Sequence, residues 1–122
     1  MKPELLILGN SQSRVVVADG FTGAYDQIRR MAADLAPFPP QFQYYPGLRR
    51  MITETDLPAH DYMQRLLVEA SPYIGGAFDI DGFDWVEGSF SMVTQGAETL
   101  TPRQRAPHID TVEPKYLAIL HY

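Results

Sequence analysis

At 122 residues, with 45% apolar and 20% charged residues and a formal net charge of -5, the chain has the make-up of a single folded domain spanning 1–122 and not of a disordered segment. The mild acidity, with its basic pairs Arg29-Arg30 and Arg49-Arg50 short and far apart, offers no phosphate-tracking stripe, so no nucleic-acid partner is expected. There is no cysteine, which excludes disulfides, thiolate catalysis and zinc-thiolate sites.

The first apolar run, Leu5 to Leu8, is too short for the core of a signal peptide. No stretch approaches the roughly 18 apolar residues of a membrane helix, so the expectation is a cytoplasmic protein with no membrane partner. A β-branched run, Val15 to Ala18, ends at the turn pair Asp19-Gly20. Both runs read as strands. Thr22 is a candidate N-cap for a helix from Gly23 to Ala36, in which Ala24, Ile28, Met31 and Leu35 repeat at helical spacing. That face is expected to pack on a sheet. Pro37, Pro39 and Pro40 stop the helix by removing donors.

Phe42 to Met51, aromatic and basic, reads as an ordered loop. A second helix starts at Asp56, uses Tyr62, Met63, Leu66, Leu67 and Ala70 as its apolar face, and is expected to close at Ser71-Pro72. Gly75-Gly76 reads as a hinge or turn, and Ala77 to Ile80 as a short strand. Phe83 to Thr94 is a long extended segment, with Trp85 as a core anchor and Gly88 marking a bulge or a close backbone approach. Asp79, Asp81 and Asp84 lack the downstream glutamate of a calcium loop and read as a turn. Gln95 to Pro107 is a loop, and Lys115 to Tyr122 a final apolar strand. Helices early and strands late favour an α+β fold, with two N-terminal helices on a mainly antiparallel sheet.

The chemistry concentrates in Arg103-Gln104-Arg105-Ala106-Pro107-His108-Ile109-Asp110. On extended backbone, residues two apart point to the same side. His108 and Asp110 can then present an imidazole nitrogen and a carboxylate to one cation. A second histidine would complete a two-histidine, one-carboxylate triad of the kind that holds iron(II) and leaves positions open. The bland alternative is a loop histidine and aspartate bonded to each other or to backbone. Arg103 and Arg105 flank the motif and suit an anionic carboxylate, or are solvated loop charges. Tyr44, Tyr45 and Arg49 line a pocket mouth or pack within their loop.

The segment Leu100 to Asp110, with the run Tyr116 to Tyr122 after it, resembles the first metal-ligand segment of a family of bacterial proteins related to the iron(II)/2-oxoglutarate oxygenases. Val15 to Phe21, Phe38-Pro39-Pro40 and Tyr45-Pro46-Gly47-Leu48-Arg49 resemble that family's earlier parts, in order. The resemblance implies a double-stranded β-helix (a jelly-roll, cupin-like fold) of which this chain is the N-terminal part. It also implies Fe(II) and 2-oxoglutarate as cofactors, His108 and Asp110 as metal ligands, Arg103 and Arg105 as cosubstrate-binding residues, and hydroxylation of an unknown small-molecule or peptide substrate. The family pattern places its distal histidine and arginine well downstream. His121 lies instead in the run directly after the motif, and His60 in the first turn of the second helix. The rival expectation is a non-catalytic or truncated α+β binding module that forms a homodimer through its C-terminal strand.

Overall fold

The computed structural model describes residues 2–40, 45–106, 113 and 116–122. Among these the fold is α+β: two separate two-stranded antiparallel sheets and three α-helices. The first sheet is a hairpin of β1 (Glu4–Leu8) and β2 (Ser13–Val17), in register Glu4 with Val17 through Leu8 with Ser13. Its turn is closed by Gln12 N–H donating to the Gly9 carbonyl at 3.2 Å. Partners directly opposite share a face. Leu5, Ile7, Arg14 and Val16 therefore lie on one side, and Leu6, Leu8, Val15 and Val17 on the other.

Helix α1 (Tyr25–Asp34) is shorter than its periodicity predicts, and it packs against the second helix instead of a sheet. Thr22 is not its N-cap; Ala24 holds that position. The Thr22 hydroxyl nevertheless accepts the Ala24 N–H at 3.4 Å.

Helix α2 (Leu57–Phe78) runs past Ser71-Pro72, where the sequence predicts a stop. Proline lacks the N–H that would reach the Val68 carbonyl one turn back. The Ser71 hydroxyl donates to that carbonyl instead, at 2.7 Å, so the acceptor is satisfied and the helix continues. Gly75, Gly76 and Ala77 are consequently helical, neither hinge nor strand. Asp79 ends the helix in the left-handed region (φ 56°), its N–H bonded to the Gly75 carbonyl. The Arg14 guanidinium then donates to the Ala77 carbonyl at 2.7 Å, tying β2 to the helix end. A cation there meets both an unpaired carbonyl and the negative end of the helix dipole.

The predicted loop after Pro40 contains strand β3 (Gly47–Met51), paired antiparallel with β4 (Ser89–Val93). Only these last residues of the expected Phe83 to Thr94 extended segment form a strand. Gly47 lies so close to the Met92 carbonyl that a Cβ would fall on it. At Gly88 the near neighbour is a side chain and not the expected backbone: the Met63 sulfur lies where a Cβ would be. The expected loop after Gln95 contains a single 3-10 turn (Ala97–Thr99) and helix α3 (Pro102–Arg105). Tyr116 to Tyr122, expected as a strand, has no regular secondary structure.

Among the described residues, buried apolar side chains are few: Met31 of α1 and Ala59, Ala70, Ile74 and Ala77 of α2. Trp85 is not a core anchor. It is 61% exposed and meets Tyr116 edge-on at 6.3 Å.

Candidate functional site

His108 and Asp110 lie outside the described residues. The segment that leads to them is described. Thr101 caps α3 with a reciprocal box: its hydroxyl accepts the Gln104 N–H at 3.2 Å, and its own N–H donates to Gln104 Oε1 at 2.8 Å. Pro102 occupies the first turn, where no donor is required. Ala106 then leaves the helix extended (φ -66°, ψ 135°), as a residue before proline is constrained to do. The Thr-x-x-Gln signature of this box is legible in the sequence and is missed when Gln95 to Pro107 is read only as a loop.

Arg103 and Arg105 are exposed on α3. Two positions on a helix separate their Cα atoms by about 200° around the axis, so they leave the turn in different directions.

The other two histidines have described settings. His60 is half-buried in the first turn of α2, its backbone N–H bonded to the Asp56 carbonyl at 2.8 Å. His121 stacks near-parallel on Tyr62 (centroids 6.4 Å apart, 13° between planes) and lies 5.9 Å from the Tyr25 ring. Its Nδ1 is 3.3 Å from the Tyr62 oxygen, and the Tyr62 hydroxyl donates to Thr22 Oγ1 at 3.2 Å. A phenol has one proton to give. With that proton on the Thr22 bond, the His121 Nδ1 is the donor in the other. Thr22, Tyr62 and His121 thus join the loop before α1, the second turn of α2 and the C-terminal segment. No periodicity or motif signals a contact between residues so distant in sequence. Among the described residues, no three histidine, aspartate or glutamate side chains converge as a metal site would require.

On the β3–β4 sheet the Arg49 guanidinium lies 4.4 Å from the centroid of the Tyr45 ring, and its Nε donates to the cross-strand Ser91 hydroxyl at 3.4 Å. Such stacking holds the Arg49 guanidinium of β3 on the ring of Tyr45, two positions before the strand. Tyr44 lies outside the described residues. Arg50, on the other face, pairs with Asp56 at 3.0 Å. Asp56 also accepts the Thr53 N–H at 2.8 Å and the Thr53 hydroxyl at 3.0 Å. The Thr53 backbone bond, aided by the Thr53 hydroxyl and Arg50, holds the Asp56 carboxyl below its ordinary range. Asp56 therefore fastens the β3–α2 connection and does not cap α2 through its side chain. The Asp79 to Asp84 stretch is the irregular connection out of α2, in keeping with a turn.

No described helix is long and apolar enough to cross a membrane. No curated protein and no solved structure matches the chain. The model of one protein family, DUF6445, a family of unknown function, matches residues 1–122. The chain belongs to that family.

Proposed function

We propose that this chain carries part of an iron(II)/2-oxoglutarate-dependent oxygenase-type site, with His108 and Asp110 as two of the metal ligands. The observation that carries the reading is the His108-x-Asp110 spacing directly after Arg103-Gln104-Arg105. Iron(II) with 2-oxoglutarate, when bound, supplies the oxygen-activating chemistry for hydroxylating a small-molecule or peptide substrate. The chain's own share is to hold the metal through one imidazole and one carboxylate, and to offer Arg103 and Arg105 to the cosubstrate's carboxylates. The reading places β3 and β4 in one wall of a jelly-roll and the protein in the cytoplasm. It assigns the third ligand neither to His121, which is engaged with Tyr62, nor to His60, which lies on α2.

The test is titration of the chain with iron(II) or manganese(II), with oxygen consumption followed in the presence of 2-oxoglutarate. The expected result is metal binding that is lost in His108→Ala and Asp110→Ala. Binding that persists unchanged in both variants overturns the reading.

The second reading, a non-catalytic module that dimerises through its C-terminal segment, draws on the exposure of Tyr116, Ile119, Leu120 and Tyr122. It requires that segment to become a strand on pairing. Light scattering that gives a dimer, from a chain that binds no metal, supports it.

A further inference from the structure

Among the described residues, ring contacts attach the run Tyr116 to Tyr122 to the rest of the molecule at two points. At its start, Tyr116 meets Trp85 edge-on at 6.3 Å, in the connection that precedes β4. Near its end, His121 lies beside two tyrosines: Tyr25, the first residue of α1, and Tyr62, in the second turn of α2. Between these points Ile119 and Leu120 are exposed. The Tyr62 hydroxyl gives its proton to Thr22 Oγ1, so its hydrogen bond with His121 requires a proton on the imidazole Nδ1. In a neutral ring that leaves the lone pair on Nε2. Helix α1 buries only Met31, so a ring that touches both helices adds a second tie between them. Thr22 and Tyr62 also line a narrow cleft of about 70 Å³ between α1 and α2, and His121 is bonded to that wall.

We infer that His121 is a clasp: it fastens Tyr116 to Tyr122 as a strap onto the start of α1 and the second turn of α2, in its Nδ1–H tautomer. The strap has a docked and a released state. Two ring contacts and one hydrogen bond at His121 hold it docked, each weak by itself, so a small change at this ring moves the balance. While the clasp is closed, the apolar residues of the run stay out of any sheet. Pairing of the run with another strand requires the clasp to open. The inference goes beyond the metal-site reading and does not depend on it.

The experiment uses the full chain without metal, as wild type, His121→Ala and Tyr62→Phe, with far-ultraviolet circular dichroism to check that each variant folds. Nitrogen-15 chemical shifts of the imidazoles, taken at about pH 8 where histidine is neutral, report the tautomer. The His121 signals are those missing in His121→Ala. They are expected to show Nδ1–H in wild type and to lose that signature in Tyr62→Phe, which keeps the ring and removes the hydroxyl. Limited digestion with chymotrypsin, followed by mass spectrometry, reads cleavage after Tyr116, Leu117 and Leu120. His121→Ala is expected to speed that cleavage about tenfold, the effect of losing one hydrogen bond and its ring contacts. Tyr62→Phe is expected to fall between it and wild type. If either variant fails to fold, the wild-type tautomer carries the test. A wild-type His121 in the Nε2–H form, or a folded His121→Ala cut at the wild-type rate, overturns the inference.

Discussion

Asp79 and Asp56 show how single positions are decided by backbone and charge. Asp79 is a non-glycine residue in the left-handed region, where a Cβ crowds the backbone. Glycine is the usual residue at such a helix end. Asp79→Gly is expected to stabilise the chain by roughly 0.5–1 kcal/mol, seen as a higher urea midpoint with an unchanged slope. For Asp56 the depressed carboxyl sets the direction with pH. The folded value lies below the unfolded one, about 3.9, so its contribution is fully present above that pH and is lost as pH falls through the folded value. Asp56→Asn should therefore lower the urea midpoint at pH 7, and the gap from wild type should close as pH falls through the folded value. A gap that stays constant across that range would show that the charge contributes nothing.

At the scale of the element, α2 carries most of the organisation. It supplies four of the buried apolar residues, receives the Arg14 guanidinium at its C-terminal end, and places Tyr62 between Thr22 and His121. Ile74→Ala removes its largest buried side chain and is expected to cost about 2–4 kcal/mol by chemical denaturation. Pro72→Ala is expected to do the opposite. It restores a backbone N–H to the Val68 carbonyl and removes a ring that crowds the preceding turn, for a gain of roughly 2 kcal/mol against a more flexible unfolded chain. Denaturant midpoints and helical ellipticity measure both. A Pro72→Ala variant no more stable than wild type would mean that the Ser71 hydroxyl already compensates fully.

The whole molecule has an unusual surface. Its accessible area is 9802 Å², about half as large again as the roughly 6,600 Å² expected of a compact 13.8 kDa monomer. Leu5, Ile7, Leu8, Val15 and Val17 on the first hairpin are all more than a third exposed, as are Leu57, Val68, Trp85 and Tyr116. With so little buried, this chain by itself should bind a hydrophobic dye such as ANS in its native state and melt over a broad range. A monomer that melts sharply at high temperature without binding the dye would contradict that expectation.

What the sequence determined by itself is local. The first two strands and the two longer helices follow from short apolar runs and helical spacing, each readable within a few residues. The His108-x-Asp110 spacing is readable in the same way, and it lies outside the described residues. Tertiary contact decided the rest. Gly47-Leu48-Arg49-Arg50-Met51 has no strand composition and becomes β3 only because β4, some forty residues on, pairs with it. The end of helix α2 is tied to the first hairpin by the Arg14 guanidinium, a contact between residues sixty-three positions apart. Tyr116 to Tyr122 has the residues of a strand but lacks one, since a strand exists only where a neighbouring backbone offers donors and acceptors to match.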